Sequence, residues 1–311
     1  MNENNQTTAT NIQTTSLPVT ETHEEIKHES TLYAEPVAHV HGFPITNSLI
    51  TSWIAVLVIV ILSVALRTRM KKIPSKLQHF FEMFMEGALN LADQVTGSRK
   101  ITTKVFPVAV SIFFFVLINN WLGILPLGGF GVIERGADGA SFIPFIRSGT
   151  ADINTTLMLA LVAVIGSNIF GIIIIGLWKA LNKYVNLKAL GSMVTKVRKE
   201  PTVLIMAPVM FFVGALELVG EIAKVASLSF RLFGNVFAGE VLLASMSALF
   251  AYGLPIPFLF LEVLVGFIQA LIFSMLVLVY FSIAAEDHDA HDEGHGHEEK
   301  KHETVGSHAS A

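Results

Sequence analysis

The chain has 311 residues, of which 52% are hydrophobic and only 15% charged. A soluble domain of this length carries nearer a quarter charged residues, so a water-soluble globular fold is excluded. Net charge is −4 and there is no cysteine, which excludes a disulfide framework and thiol chemistry.

Residues 1–47 are polar and rich in Thr, Asn and Glu. They lack the apolar core of a secretory signal, so the first span must itself direct insertion. Uncharged runs follow at Ser48–Leu66, Val105–Ile133, Thr155–Trp178, Val241–Leu261 and Val263–Ala285. Each meets or approaches the ~20 residues that a helix needs to cross a bilayer. The expected fold is an all-α polytopic membrane protein with about five crossings and a membrane domain over 48–285.

Basic residues set the orientation. Residues 67–104 hold eight Lys/Arg and residues 179–200 hold six. The loop 127–154 has only Arg135 and Arg147, and 251–258 has none. The basic loops are expected in the cytoplasm, the N-terminus outside and the C-terminus inside.

Between the first two spans, Leu77, Phe80, Phe81, Phe84, Ala88, Leu91 and Val95 fall at helical spacing. Pro74 suits a helix start and Gly97 a stop. Residues 75–96 therefore read as an amphipathic helix, either on the cytoplasmic interface or packed against protein. Residues 201–250 are too long for a single upright span. As one helix they would extend about 75 Å, against a ~30 Å hydrocarbon core. Either the helix is strongly tilted or it breaks, with Pro201 at its start and Gly253-Leu254-Pro255 at its end. The tail 286–311 alternates Asp, Glu and His. Such a tract can bind metal or remain solvated; no cofactor or metal is expected to serve the membrane domain.

Arg231 stands in the middle of this apolar stretch. A guanidinium keeps its charge in a protein, so inside a membrane it must be compensated or used. On a helical wheel Glu217, Lys224, Ser227 and Asn235 all fall within about 40° of it. Polar groups at membrane depth must face protein or water, so this stripe is expected to line an aqueous path or a partner. For Asn235 and Gln269, a hydrogen bond between helices is the simpler expectation. Glu240 lies on the opposite face from Arg231. Glu240 and Glu262 are each roughly ten residues from the intervening turn, which predicts similar depth and a proton shared between two carboxylates.

The run Leu228-Ser229-Phe230-Arg231-Leu232-Phe233-Gly234-Asn235-Val236-Phe237-Ala238-Gly239-Glu240 resembles the signature of the subunit a family of F-type ATP synthases. The resemblance extends to Ile73-Pro74-Ser75-Lys76-Leu77-Gln78, to Asn120-Trp121-Leu122-Gly123-Ile124-Leu125-Pro126, to Thr150-Ala151-Asp152-Ile153-Asn154-Thr155-Thr156 and to Gln269-Ala270-Leu271-Ile272-Phe273. It covers roughly residues 35–287. It implies a stator subunit of the bacterial plasma membrane, itself non-catalytic within a proton-transporting ATP synthase. The implied partners are a ring of c proteolipids, the subunit b stalk and the rest of the complex, with no nucleic acid. Arg231 matches the essential arginine that faces the ring carboxylates. Asn235, Glu240 and Gln269 match residues of the proton path, while Ser227, Lys224 and Glu217 match positions near the cytoplasmic exit. Glu262 stands where some members carry histidine. The resemblance also implies that 201–285 forms a tilted hairpin along the ring. The rival from another class is an ion-coupled secondary transporter. It would be expected to show inverted repeats and interrupted helices, and no internal repeat is visible in the sequence.

Overall fold

The computed structural model describes residues 33–69, 76–125, 131–136, 139–177, 203–250 and 253–285. The basic loop 179–200, Pro74, Pro201 and the His-rich tail lie outside them.

Six helices carry the structure: α1 (Asn47–Arg69), α2 (Lys76–Thr96), α3 (Arg99–Ile124), α4 (Ile153–Ile175), α5 (Val203–Leu249) and α6 (Pro255–Ala285). Among the described residues, all but α2 contain stretches long and apolar enough to cross a membrane. The all-α polytopic expectation therefore holds, but two of the expected spans were misplaced. The uncharged run Val105–Ile133 is not one element. Its helix begins earlier, at Arg99, and ends at Ile124. Leu125 is already extended, at φ −60° and ψ 140°, because it precedes Pro126 and that ring disfavours helical backbone in the residue before it. The run Val241–Leu261 is not a span either. It is the tip between α5 and α6, interrupted by Gly253 at φ 94°, with Pro255 opening α6 as proline's fixed φ favours.

Two small β-hairpins were not anticipated. β1 (Pro36–Val40) pairs with β2 (Phe43–Thr46), and β3 (Gly131–Gly136) pairs with β4 (Gly139–Pro144). The first turns on His41-Gly42, both at positive φ, the backbone of a two-residue hairpin turn.

The question over residues 201–250 is resolved as one continuous helix. α5 has 47 residues, or about 70 Å, and runs unbroken through Gly220, Gly234 and Gly239. α6 is the central packing element, in contact with α2, α3, α4 and α5. Its Ala270, Phe273, Val277, Leu278 and Phe281 recur at helical spacing and are buried. They meet Val105, Ala109, Phe113 and Val116 of α3, Ala160 and Val164 of α4, and Leu228 and Leu232 of α5. Small residues permit the close approach: a Cβ on Gly266 would lie 3.2 Å from the Asn120 side chain, and one on Gly171 would collide with the Ala284 carbonyl. α2 packs its Ala92 against this core, the protein-packing alternative, while Phe80, Met83 and Leu91 stay exposed.

Candidate functional site

The signature segment of α5 divides cleanly by face. Leu228, Leu232 and Val236, spaced by four, are buried, as are Ser229 and Phe233. They fix the rotation of the helix. The same rotation leaves Ser227, Arg231, Gly234, Asn235 and Ala238 exposed. Arg231 lies near the middle of the membrane-length stretch Phe212–Leu249. Among the described residues it forms no ion pair. Glu221, one conceivable partner, is engaged elsewhere: Lys224 Nζ lies 2.7 Å from it and Asn168 Nδ2 donates to it at 3.1 Å.

Towards the Leu249 end, Asn235 Nδ2 donates to Gln269 Oε1 at 2.7 Å, the expected bond between helices. Gln269 is 3% exposed and its Nε2 has no partner among the described residues. One to two turns further along α5, Glu240 and Glu262 line one cleft of about 500 Å³, together with Asn120, Ser148, Val236 and Ser247. The Glu262 carboxylate packs directly over Gly239, where any Cβ would collide with it. The Asn235–Gln269 and Gly239–Glu262 pairings together show α5 and α6 running antiparallel about the Gly253 turn.

The two carboxylates do share a cleft, but Glu240 makes its hydrogen bonds with Arg147 rather than with Glu262. Arg147 Nε lies 3.0 and 3.2 Å from the two Glu240 oxygens, and Nη2 lies 2.9 Å from Oε2. The bidentate fork is the strong form of a carboxylate–guanidinium contact. Arg147 Nη1 also donates to the Tyr33 carbonyl at 3.1 Å. This resolves the face problem: Glu240 points away from the Arg231 stripe because its partner is on the other side, in the segment between β4 and α4.

That segment is held by a buried polar network. Ser148 Oγ donates to the Asn119 carbonyl at 3.2 Å, Thr150 Oγ1 donates to Asn120 Oδ1 at 2.6 Å, and Asn120 Nδ2 donates to the Gly266 carbonyl at 3.1 Å. Trp121 Nε1 donates to the Val263 carbonyl at 3.2 Å. These bonds tie the cleft wall to the α6 backbone beside Glu262. Asp152 caps α4, accepting from the Asn154 amide at 3.2 Å, and the cap fixes where α4 starts.

At the opposite end of the stripe, Lys224 pairs with Glu221 and sits 5.4 Å from the centre of the Tyr280 ring. Glu217, two turns from Lys224, is half-buried. Sequence reasoning missed Arg147, Glu221 and Asn168 as members of the site. Arg147 was visible as one of two basic residues in the loop 127–154, but no local pattern links it to a carboxylate 93 residues away.

A sequence profile described as ATP synthase A chain matches residues 49–282. The chain is 33% identical over 252 residues to ATP synthase subunit a of Gloeobacter violaceus, covering 81% of this chain and 87% of that one. It is 33% identical to the subunit a of Mycobacterium bovis, over 79% of this chain and 89% of that one. It is 29% identical to that of Campylobacter concisus, over 83% and 97%.

Proposed function

The chain belongs to the ATP synthase A chain family and is a multi-pass membrane component of the F-type ATP synthase, and from that premise we propose that it forms two proton half-channels against a rotating ring of c subunits. One observation carries the reading. Arg231 is exposed near the middle of the membrane-length stretch Phe212–Leu249, with no ion pair among the described residues. An uncompensated guanidinium there calls for a negative partner from another chain, and a ring carboxylate supplies one.

Two polar stations flank it along α5. Lys224 and Glu221 lie about 10–15 Å to one side and Glu240 about 14 Å to the other, at 1.5 Å per residue. In the proposed cycle a proton enters from outside through the cleft of Glu240 and Glu262 and passes by Asn235 and Gln269. It neutralises a ring carboxylate, which can then turn into lipid. Approaching Arg231 from the other side, the carboxylate meets a fixed positive charge that favours its ionised form, and the proton leaves past Ser227, Lys224 and Glu217. Arg231 also bars direct leakage between the two paths. A potential of 100 mV contributes about 2.3 kcal/mol per charge moved. The subunit b stalk is the proposed partner on the side away from the ring. The continuous α5 disfavours a transporter built on interrupted helices.

The test is Arg231→Ala in the assembled complex. Proton-driven ATP synthesis should be abolished while the complex still assembles; normal synthesis rates would falsify the assignment. The proposed location is the bacterial plasma membrane with the N-terminus outside. Single cysteines at Asn5 and Ser310 of this thiol-free chain should therefore label from opposite sides of the membrane. Labelling of both from outside overturns that orientation.

A further inference from the structure

Two carboxylates line the cleft, and the structure treats them differently. Glu240 receives three guanidinium contacts within 3.2 Å from Arg147. Glu262 accepts no hydrogen bond from any described side chain and rests against the bare backbone of Gly239. We propose, resting on the half-channel reading above, that Arg147 is a positioning residue that locks Glu240 into a charge pair and leaves Glu262 as the carboxylate that receives the proton in this cleft.

The two carboxylates differ in what protonation would leave behind. A proton acceptor must present an oxygen to water. Both oxygens of Glu240 already accept charge-assisted bonds, the strong class of hydrogen bond, so a proton arriving there must compete with the guanidinium. Protonating Glu240 would break the pair and strand Arg147, which is 5% exposed. Removing one partner of a buried pair leaves an uncompensated charge, a costly state. Among the described residues the charged groups facing Glu240 are Arg147, from the segment before α4, and Glu262, from α6; α3 contributes only the uncharged Asn120, Gly123 and Ile124 to the cleft wall. Arg147 is itself immobilised. Its Nη1 is bound to the Tyr33 carbonyl, and its neighbour Ser148 is bonded to Asn119 and Thr150 of the buried network. Glu262, like Glu240, is half-buried and borders the cleft, but it has no cation beside it among the described residues. It lies seven residues, two turns, before Gln269 on the same face of α6, and Gln269 bonds Asn235 on the Arg231 stripe. The proton route therefore runs from the cleft to Glu262 and then along α6, with Glu240 as a fixed wall rather than a relay.

The experiment uses the complete complex in inverted membrane vesicles and reads ATP-driven proton pumping, with assembly followed by membrane-bound ATPase and immunoblot. Arg147→Gln should lower pumping by roughly tenfold or more, because it strands the Glu240 charge. Arg147→Lys should recover part of the loss. The double variant Arg147→Gln/Glu240→Gln removes both charges and should return to within about threefold of the unmodified complex. Glu262→Gln should lose pumping in either background. A double variant as impaired as Arg147→Gln alone, or a Glu262→Gln variant that pumps normally, overturns the proposal.

If Arg147→Gln does not assemble, the unmodified complex decides the matter. A hydrophobic carbodiimide followed by mass spectrometry of this subunit should place the adduct on Glu262. An adduct predominantly on Glu240 overturns the proposal. Arg231→Ala run in parallel separates the two readings: retained pumping there defeats the half-channel reading itself. Loss of pumping there, with Glu240 modified, defeats only the assignment of Glu262.

Discussion

Two arginines, one buried and one exposed on a membrane-length helix, show opposite solutions to one problem. Arg147 is 5% exposed and is saturated within its own chain: two nitrogens grip Glu240 and a third reaches the Tyr33 carbonyl. Arg231 is exposed on a face of α5 and forms no ion pair among the described residues. A charge satisfied by its own fold serves to hold geometry. A charge left open at membrane depth belongs to an interface, because its compensation has to come from elsewhere. On the proposed half-channel reading, the difference separates a wall of the cleft from the face turned to the ring.

The sharpest way to break this comparison is conservative substitution at both sites. Arg231→Lys should abolish ATP synthesis nearly as fully as Arg231→Ala, because a desolvated lysine can lose its proton and lacks the planar fork. Arg147→Lys should retain a substantial fraction, since one ammonium still neutralises Glu240. Equal sensitivity at the two positions, measured as ATP synthesis per assembled complex, would remove the distinction between them.

The next largest effect is expected at Gly239. Any side chain there collides with the Glu262 carboxylate, yet that carboxylate ends a flexible side chain and can move aside. Gly239→Ala should therefore assemble normally while displacing Glu262 from the cleft, and pumping should fall roughly tenfold to hundredfold, as small misplacements of working groups do. Unchanged pumping would show that the position of Glu262 is unimportant. Substituting Glu262 itself should produce a ranking. Glu262→His should be tolerated best, because imidazole can still pass a proton, Glu262→Gln should be slower, and Glu262→Leu slowest. ATP-driven pumping across pH 6 to 9 reads the order. Equal rates for all three would mean that Glu262 only fills space.

These effects also mark what could be read from the chain alone. The apolar blocks announced the membrane fold, and the stripe of Lys224, Ser227 and Asn235 around Arg231 had already implied that these polar groups share one face of the helix. A bond between helices was legible for Asn235 and for Gln269 because each is a polar group in a membrane-length helix; that they bond each other was not. Apolar continuity, however, does not encode where a chain turns. Val241–Leu261 looked like a span although Gly253 and Pro255 carried the turn signal. The Arg147–Glu240 pair was illegible because it joins a loop to a helix across 93 residues. Pairing depth between Glu240 and Glu262 was inferred correctly from the turn, yet the partner of Glu240 was not, because a count along two helices says nothing about a third segment.

A third arginine sharpens the comparison at its weak end. Arg99 opens α3 and bonds Asp93 of α2 across the Gly97 turn, outside the apolar core. Its side chain is 57% exposed, so the pair is solvated and contributes far less than a buried one. The Arg99 contact, helped by Thr102, holds the Asp93 carboxyl below its ordinary range. A depressed carboxyl stabilises the fold above its unfolded value, near about 4, and that contribution is lost as pH falls through the lower folded value. Asp93→Asn should therefore lower the melting temperature of the detergent-solubilised complex slightly at pH 7. The difference from the unmodified complex should shrink as pH drops below the ordinary carboxylate range. A difference that persists undiminished in acid would mean that Asp93 acts through packing against α3 and not through its charge. Arg99 would then be no part of the series in which exposure and pairing together decide what an arginine does.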